Sequence, residues 1–327
     1  MDIMIRGLAF AVAALCAVTM GFAIQRGATC TVAAVDEVID RRGVTRLIAL
    51  VEASVWVAGG LLIADRFGWL AQAPSGYLLN GWTVAGAFLL GLGAFVNRAC
   101  VFGAIARFGS GEWAYIATPI GFYLGCLSVT KLFAPPPPQT LDAGSIVLAA
   151  PGSVVWLVAA ILIWRIAVPL VRHRSVPREL LTRHLWSPHA ATTVIGVTFL
   201  VTLLLVGAWA YTDALAELAR GMAHSVLARA LLLMCLLLGA LIGGWTAGLF
   251  RHTGIRVGSL LRCLAGGMLM GWGSLLIPGG NDGLILVGMP LLWPYAWTAF
   301  ATMCVTIGCA LSLQRRLASG TPGVPAS

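Results

Sequence analysis

Apolar runs of about 20 residues, each long enough to cross a hydrocarbon core of about 30 Å as a helix, recur along this chain. Nine are read, approximately over residues 4–24, 47–64, 77–96, 113–132, 144–168, 192–211, 229–250, 263–278 and 293–313. Between some of them lie Gly-rich stretches that are too short to cross and too apolar for plain solvated loops. One runs from Asn97 through Arg98, Cys100 and Gly103 to Gly111, another from Pro278 through Gly279, Gly280, Asn281 and Asp282 to Gly288. They predict re-entrant elements, a kinked descent followed by a short helix, because non-helical backbone at membrane depth is tolerated only when buried in protein or lining a wet cavity. A third such stretch spans Gln25 to Ile39, with residues 212–226 as its weaker counterpart. Arg6 ahead of the first apolar run resembles a signal peptide. No convincing small-x-small cleavage site follows, and Leu15 before Cys16 makes a poor lipobox, so the run is kept as a span.

Compared with itself at a shift of 180 residues, the chain superposes two long stretches. Gly86-Ala-Phe-Leu-Leu-Gly-Leu-Gly93 lies over Gly266-Gly-Met-Leu-Met-Gly-Trp-Gly273, and the register continues without a gap through Gly103 with Gly283, Trp113 with Trp293, Tyr115 with Tyr295 and Thr118 with Thr298. Nine spans turn the second copy upside down relative to the first. Inverted repeats with a site near the midplane are a recurring transporter plan. The expected fold is therefore an all-α integral membrane protein with about nine transmembrane helices plus short re-entrant helices in an inverted pseudo-two-fold repeat. Its N-terminal half covers 1–168, a basic linker 169–191, its C-terminal half 192–314 and a tail 315–327.

Composition agrees, since 59% of the residues are hydrophobic and 10% charged, against about 25% charge in a soluble domain. Glycine, at 39 of 327 residues, stands well above its usual level of about 7% and calls for bends or close backbone approach. The net charge of +9 comes from basic residues scattered between apolar runs, which speaks against nucleic acid and for the positive-inside pattern. Placing Arg165, Arg172, Arg174, Arg178 and Arg183 in the cytoplasm puts Arg41, Arg42, Arg46, Arg251, Arg256, Arg262, Arg315 and Arg316 there too. Asp65, Pro135 to Pro138, Asp213 and Glu217 then lie outside. The expected location is a bacterial inner membrane, with the N-terminus periplasmic and the C-terminus cytoplasmic.

Eight cysteines without CxxC spacing indicate neither a disulfide framework nor a zinc site, and most lie in apolar runs where a free thiol packs as a small hydrophobe. Cys30 and Cys100 differ. Each closes a small polar turn, Gln25-Arg26-Gly-x-x-Cys30 and Asn97-Arg98-x-Cys100, and opens a short apolar helix. There the helix dipole and free N–H groups attract anions, and a thiol suits a soft terminal sulfur. The bland alternatives are that both thiols are core residues, that Arg26 and Arg98 snorkel to headgroups, that Asn281 and Asp282 only cap a helix, and that Glu112, Trp293 and Tyr295 belong to the membrane interface. There is no Walker-type loop, no HExxH and no intraspan His pair; His173, His184, His189, His224 and His252 sit in loops or at span ends. An enzyme, a metal or a bound cofactor is not expected.

These residues resemble the YeeE/YedE family of membrane proteins, known as thiosulfate transporters. The likeness covers nearly the whole chain and rests on Gly21-Phe-Ala-Ile-Gln-Arg-Gly-Ala-Thr-Cys30, on Asn97-Arg-Ala-Cys100 continuing to Tyr115, and on Gly267 to Gly273 leading to Pro278-Gly-Gly-Asn-Asp282. It implies a pinched, pseudo-symmetric bundle that takes up thiosulfate along central cysteines by non-covalent S–H to sulfur contacts. Cys30 and Cys100 match two of the family's cysteines. The third belongs in a Gly-Cys-Asn turn that here reads Gly279-Gly280-Asn281, a departure that leaves open another sulfur or selenium anion. The resemblance also implies a TusA-like cytoplasmic sulfur-carrier partner. Against transport stands a receptor or scaffold for a sulfur compound or its carrier, and against both a membrane enzyme with a cysteine nucleophile, for which no base lies in the same motifs.

Overall fold

A computed structural model describes residues 2–141, 144–172, 185–207, 209–220, 226–251 and 253–319. Arg174, Arg178, Arg183, His173, His184, His224, His252 and tail residues 320–327, all invoked above, lie outside the described residues. The described residues form helices joined by loops, with no strand but an isolated antiparallel bridge between Tyr77 and Thr140. Its first half comprises α1 (Asp2–Arg26), α2 (Thr31–Arg41), α3 (Thr45–Arg66), α4 (Gly81–Asn97), α5 (Val101–Gly109), a 3-10 turn (Trp113–Ile116), α6 (Ala117–Leu132) and α7 (Gly152–Arg172). The second comprises α8 (Pro188–Val206), α9 (Tyr211–Ala219), α10 (Val226–Thr246), α11 (Val257–Leu276), the single turn α12 (Asn281–Gly283) running into a π-helical turn (Leu284–Gly288), and α13 (Pro294–Ser319).

Seven helical stretches are long and apolar enough to cross a membrane: Gly7–Arg41, Thr45–Arg66, Gly81–Gly109, Pro188–Val206, Leu227–Thr246, Val257–Leu276 and Pro294–Ala318. Two further apolar helices follow expected runs, with Trp113–Val129 and Gly152–Arg165 as the stretches described in full. The run expected from residue 144 begins as a helix only at Gly152, behind Pro151, whose ring suits a helix start but not its interior. The run expected to end at 211 stops at Val206 because Gly207 takes φ +88°, open to glycine and costly for residues with a Cβ. Asn80 and Thr83 form a reciprocal capping box at the head of α4, and Arg98 closes α4 in the left-handed conformation.

Two helix groups account for the body. In one, α1 packs on α8 and α10, and α3 packs on α8; in the other, α11 packs on α4 and α6, and α13 packs on α4. Of the short elements, α2, α9 and the π turn contact members of both groups, α5 packs on α1 and α10, and α12 touches α5, α9 and the π turn. α7 packs against α3 and exposes Trp156, Leu157, Ile161, Ile163 and Trp164 on its other faces, as a lipid-facing helix does.

Much of the glycine sits where helices cross rather than where the chain bends. A Cβ on Gly93 would lie 2.7 Å from the Gly266 carbonyl oxygen, and one on Gly273 would lie 2.5 Å from that of Gly86. Between α1 and α10, a Cβ on Gly21 or Gly239 would lie 1.9 Å from the facing carbonyl oxygen of Leu236 or Val18. Lipid supplies no hydrophobic drive between helices, so association rests on such close backbone packing.

Candidate functional site

Cys30 is the N-cap of α2 and Cys100 the N-cap of α5, both in extended backbone that releases the following N–H groups. The Thr31 N–H, first of α2, donates to the Cys100 Sγ at 3.1 Å. The two thiols lie within hydrogen-bonding reach of each other, so the two turns that the sequence singled out meet in space. Gly103 makes room for them, since a Cβ there would lie 2.5 Å from the Cys30 Sγ. All eight cysteines are free, and the described residues hold no group of three or more potential metal ligands.

Cys30 opens onto a cavity of about 650 Å³ lined by Arg46, Arg98, Arg107 and Arg262, with Asp36 the acidic member. Arg107 is paired with Glu112 at 3.3 Å and Arg46 with Glu37 at 3.5 Å. A second, smaller cavity of about 240 Å³ is lined by Tyr77, Asp213, Glu217, Arg220, Gly279, Gly283 and Tyr295, among others. The cavities lie at opposite ends of the same helices: α4 runs from near Tyr77 to Arg98, α11 from Arg262 to Ser274, and α13 from Tyr295 to Gln314. Burial pushes the Tyr77 phenol up from its ordinary pKa, reinforced by the Asp213 carboxylate and opposed by Arg220, so Tyr77 keeps its O–H at the second mouth.

Fully buried groups separate the two cavities. Thr31 donates its hydroxyl to the Asn281 Oδ1 at 3.4 Å while its N–H serves Cys100. Asn281 is completely buried and its Nδ2 has no hydrogen-bond partner among the described residues, a loss of about 1–3 kcal/mol for a buried donor. It does not cap the helix after it, since the N-cap is Gly280 and no side chain caps that end. Gly279 takes φ +145°. A Cβ on Gly280 would fall 2.1 Å from the Thr212 Oγ1, so the threonine hydroxyl fills the space that a side chain at 280 would need.

Not every expected residue reaches this junction. Arg26 is fully buried, donates through Nη2 to the Thr246 Oγ1 at 2.8 Å and stacks over Phe22 at 4.9 Å. It ties α1 to the end of α10 and neither snorkels nor lines the cavity. Gln25 donates to the Ser110 Oγ at 3.3 Å among Gly109, Gly243 and Gly244. Asn97 is also buried: its Nδ2 donates to the Ala99 carbonyl at 2.8 Å, its Oδ1 accepts from Thr118 at 3.1 Å, and its own carbonyl accepts from Tyr115 at 3.2 Å. It holds the Cys100 turn in shape. Trp293 and Tyr295, expected at a membrane interface, are buried at 7% and 4% exposure.

Sequence reasoning missed Thr31, Thr212 and the pairing of Thr212 with Asp282. Threonine after a helix-opening residue carries no local signal, and the contacts span 69, 250 and 70 residues.

A helical, multi-pass membrane protein with a thiol pair at a buried junction between two opposed cavities is the class that this architecture defines. A family model described as sulphur transport matches residues 26–311, and the chain belongs to that family, the YeeE/YedE sulphur transport family. No curated protein matches the chain. Membership makes it a sulfur-compound transporter.

Proposed function

We propose that the protein is a permease for the uptake of thiosulfate or a closely related small inorganic sulfur anion across a bacterial inner membrane, with Cys30 and Cys100 as its non-covalent sulfur contacts. The single observation that carries this reading is the thiol pair at the N-termini of α2 and α5. There, helix N–H groups favour negative charge, and sulfur side chains offer weak donors to the soft terminal sulfur of the anion. Arg98 and Arg262 around the larger cavity supply the counter-charge, and the Asn281 Nδ2 is a donor with no other partner.

The inverted plan with nine crossings is part of the proposal. Element ends support it: shifted by 180 residues, the last residue of α1 falls on the last of α8, Thr31 falls on Tyr211, which opens α9, and Val101 falls on Asn281, which opens α12. Packing supports it as well, because Gly86 faces Gly273 while Gly93 faces Gly266, the reciprocal pairs that a two-fold axis produces. On this plan the N-terminus is periplasmic, the smaller cavity faces out and the arginine-lined cavity faces the cytoplasm, where a TusA-like carrier would collect the sulfur.

The absence of a thiol at Gly280 favours a second reading, another sulfur or selenium anion with more oxygen character. A strain lacking its other sulfate and thiosulfate importers, given each candidate anion as sole sulfur source, separates the two. Growth on thiosulfate restored by this gene supports the first; rescue by a different anion alone replaces it with the second.

A further inference from the structure

The Gly280 turn carries chemistry that the thiol pair does not. Thr212, fully buried at the head of α9, gives its backbone N–H to the Asp282 Oδ2 at 3.0 Å, and its hydroxyl meets the Asp282 Oδ1. Asp282 is 1% exposed, and among the described residues no cation pairs with it. The charged and titratable groups around it are known from each packed element. α9 brings Asp213 and Tyr211, α10 brings Arg229, which is held by Glu217, and Arg220 follows α9. α5 brings Cys100, while Tyr77 and Tyr295 stand beside Asp213. Asp213 lines the smaller cavity and so connects this cluster to water.

Donor bookkeeping at Thr212 gives the turn two states. An ionised Asp282 only accepts, so it takes both Thr212 donors. The hydroxyl then shows only lone pairs to the Gly280 turn, and a buried negative charge faces any arriving anion. With a proton on Oδ1, Asp282 donates to the Thr212 Oγ1 and still accepts the N–H on Oδ2. The hydroxyl hydrogen of Thr212 is then free to donate to an arriving anion, and the Asn281 Nδ2, unpartnered among the described residues, is a second buried donor on the neighbouring turn. One proton turns a repelling surface into a donating one.

We propose that Asp282 is the proton site that couples anion passage to proton movement, with the Thr212 hydroxyl presenting its state to the anion. The proposal rests on the uptake reading above. The proton arrives from the outer cavity, neutralises Asp282 while the anion passes, and leaves to the opposite side with it. No bond to the anion forms and no electron moves. Neutral Asn at 282 mimics the protonated state, since it accepts the Thr212 N–H and donates to the Thr212 Oγ1.

Proteoliposomes containing the full chain and an internal pH-sensitive dye test this with labelled thiosulfate as the probe. The wild type acidifies its lumen as thiosulfate enters, and its flux rises by up to about tenfold for each unit by which outer pH is lowered, following the occupancy of one proton site. Asp282→Asn carries thiosulfate without acidification and with a flat pH profile. Thr212→Val, which keeps the volume but loses the hydroxyl, loses flux, and Thr212→Ser retains both flux and acidification. Wild-type flux without acidification, unchanged acidification in Asp282→Asn, or full flux in Thr212→Val overturns the proton site alone. No thiosulfate flux in the wild type at any pH overturns the uptake reading and the coupling together.

Discussion

Two turns 180 residues apart open short helices at the centre of this protein, and they have diverged in opposite directions. At the first, Cys100 fills the N-cap of a nine-residue helix, Asn97 spends its polar atoms on the turn itself, and the sulfur accepts an N–H from α2. At the second, Gly280 fills the N-cap of a single turn that relaxes into π-helix, Asn281 keeps a free buried donor, and a threonine and an aspartate occupy the neighbourhood. The backbone plan is shared, while the chemistry is soft and sulfurous on one side and hard and oxygen-based on the other. On the proposed repeat, a common frame supports a site without dictating what each half binds.

The largest expected effect comes from forcing the second turn to copy the first. Gly280→Cys drives a Cβ against the Thr212 Oγ1 and Cβ, at 2.1 and 2.6 Å, and overpacking of this kind costs about 1–3 kcal/mol or more. The variant melts well below the wild type in detergent, and adding Thr212→Gly returns most of the loss. A single variant as stable as the wild type would show that the slot is not filled as described. Next is Asn97→Ala, which leaves the Ala99 carbonyl and the Thr118 hydroxyl without the partners they have now. At about 1–3 kcal/mol for stranded buried groups, it lowers both melting temperature and flux, whereas Asn281→Ala, which loses one long contact from the Thr31 hydroxyl at 3.4 Å and an amide donor without a partner among the described residues, lowers flux with a smaller change in melting. Equal melting losses at the two asparagines would break the contrast between them. Smallest is Arg98→Gln, at an exposed wall of the larger cavity. A screened charge there is worth about 0.3–1 kcal/mol, so the apparent affinity for the anion falls severalfold at most and the deficit shrinks in high salt.

The helices were legible in the sequence because lipid enforces long apolar runs and intrasegment hydrogen bonding. Starts of α2 and α5 were legible too, since Gly27 and Arg98 break the helices before them and Cys30 and Cys100 resume apolar runs. The ends of α7 and α8 were misjudged because Pro151 and Gly207 sit inside apolar stretches whose hydropathy hides them. Side-chain direction was beyond reach. Whether Arg26 faces a cavity or Thr246 depends on how α1 rotates against α10, 220 residues away in sequence. The same holds for Trp293 and Tyr295, whose aromatic character suits a membrane interface and a packed core equally.

The central claim is that the Cys30–Cys100 pair carries the anion, and the most direct measurement is the initial rate of labelled thiosulfate uptake into proteoliposomes by the wild type and by Cys100→Ala. The alanine keeps most of the volume but removes the acceptor of the Thr31 N–H and the sulfur partner of Cys30. Losing about 1–3 kcal/mol of such contacts predicts uptake reduced about 5- to 150-fold, with reconstitution efficiency close to that of the wild type and a modest fall in melting temperature from the stranded Thr31 N–H. Undiminished uptake in Cys100→Ala would contradict the account.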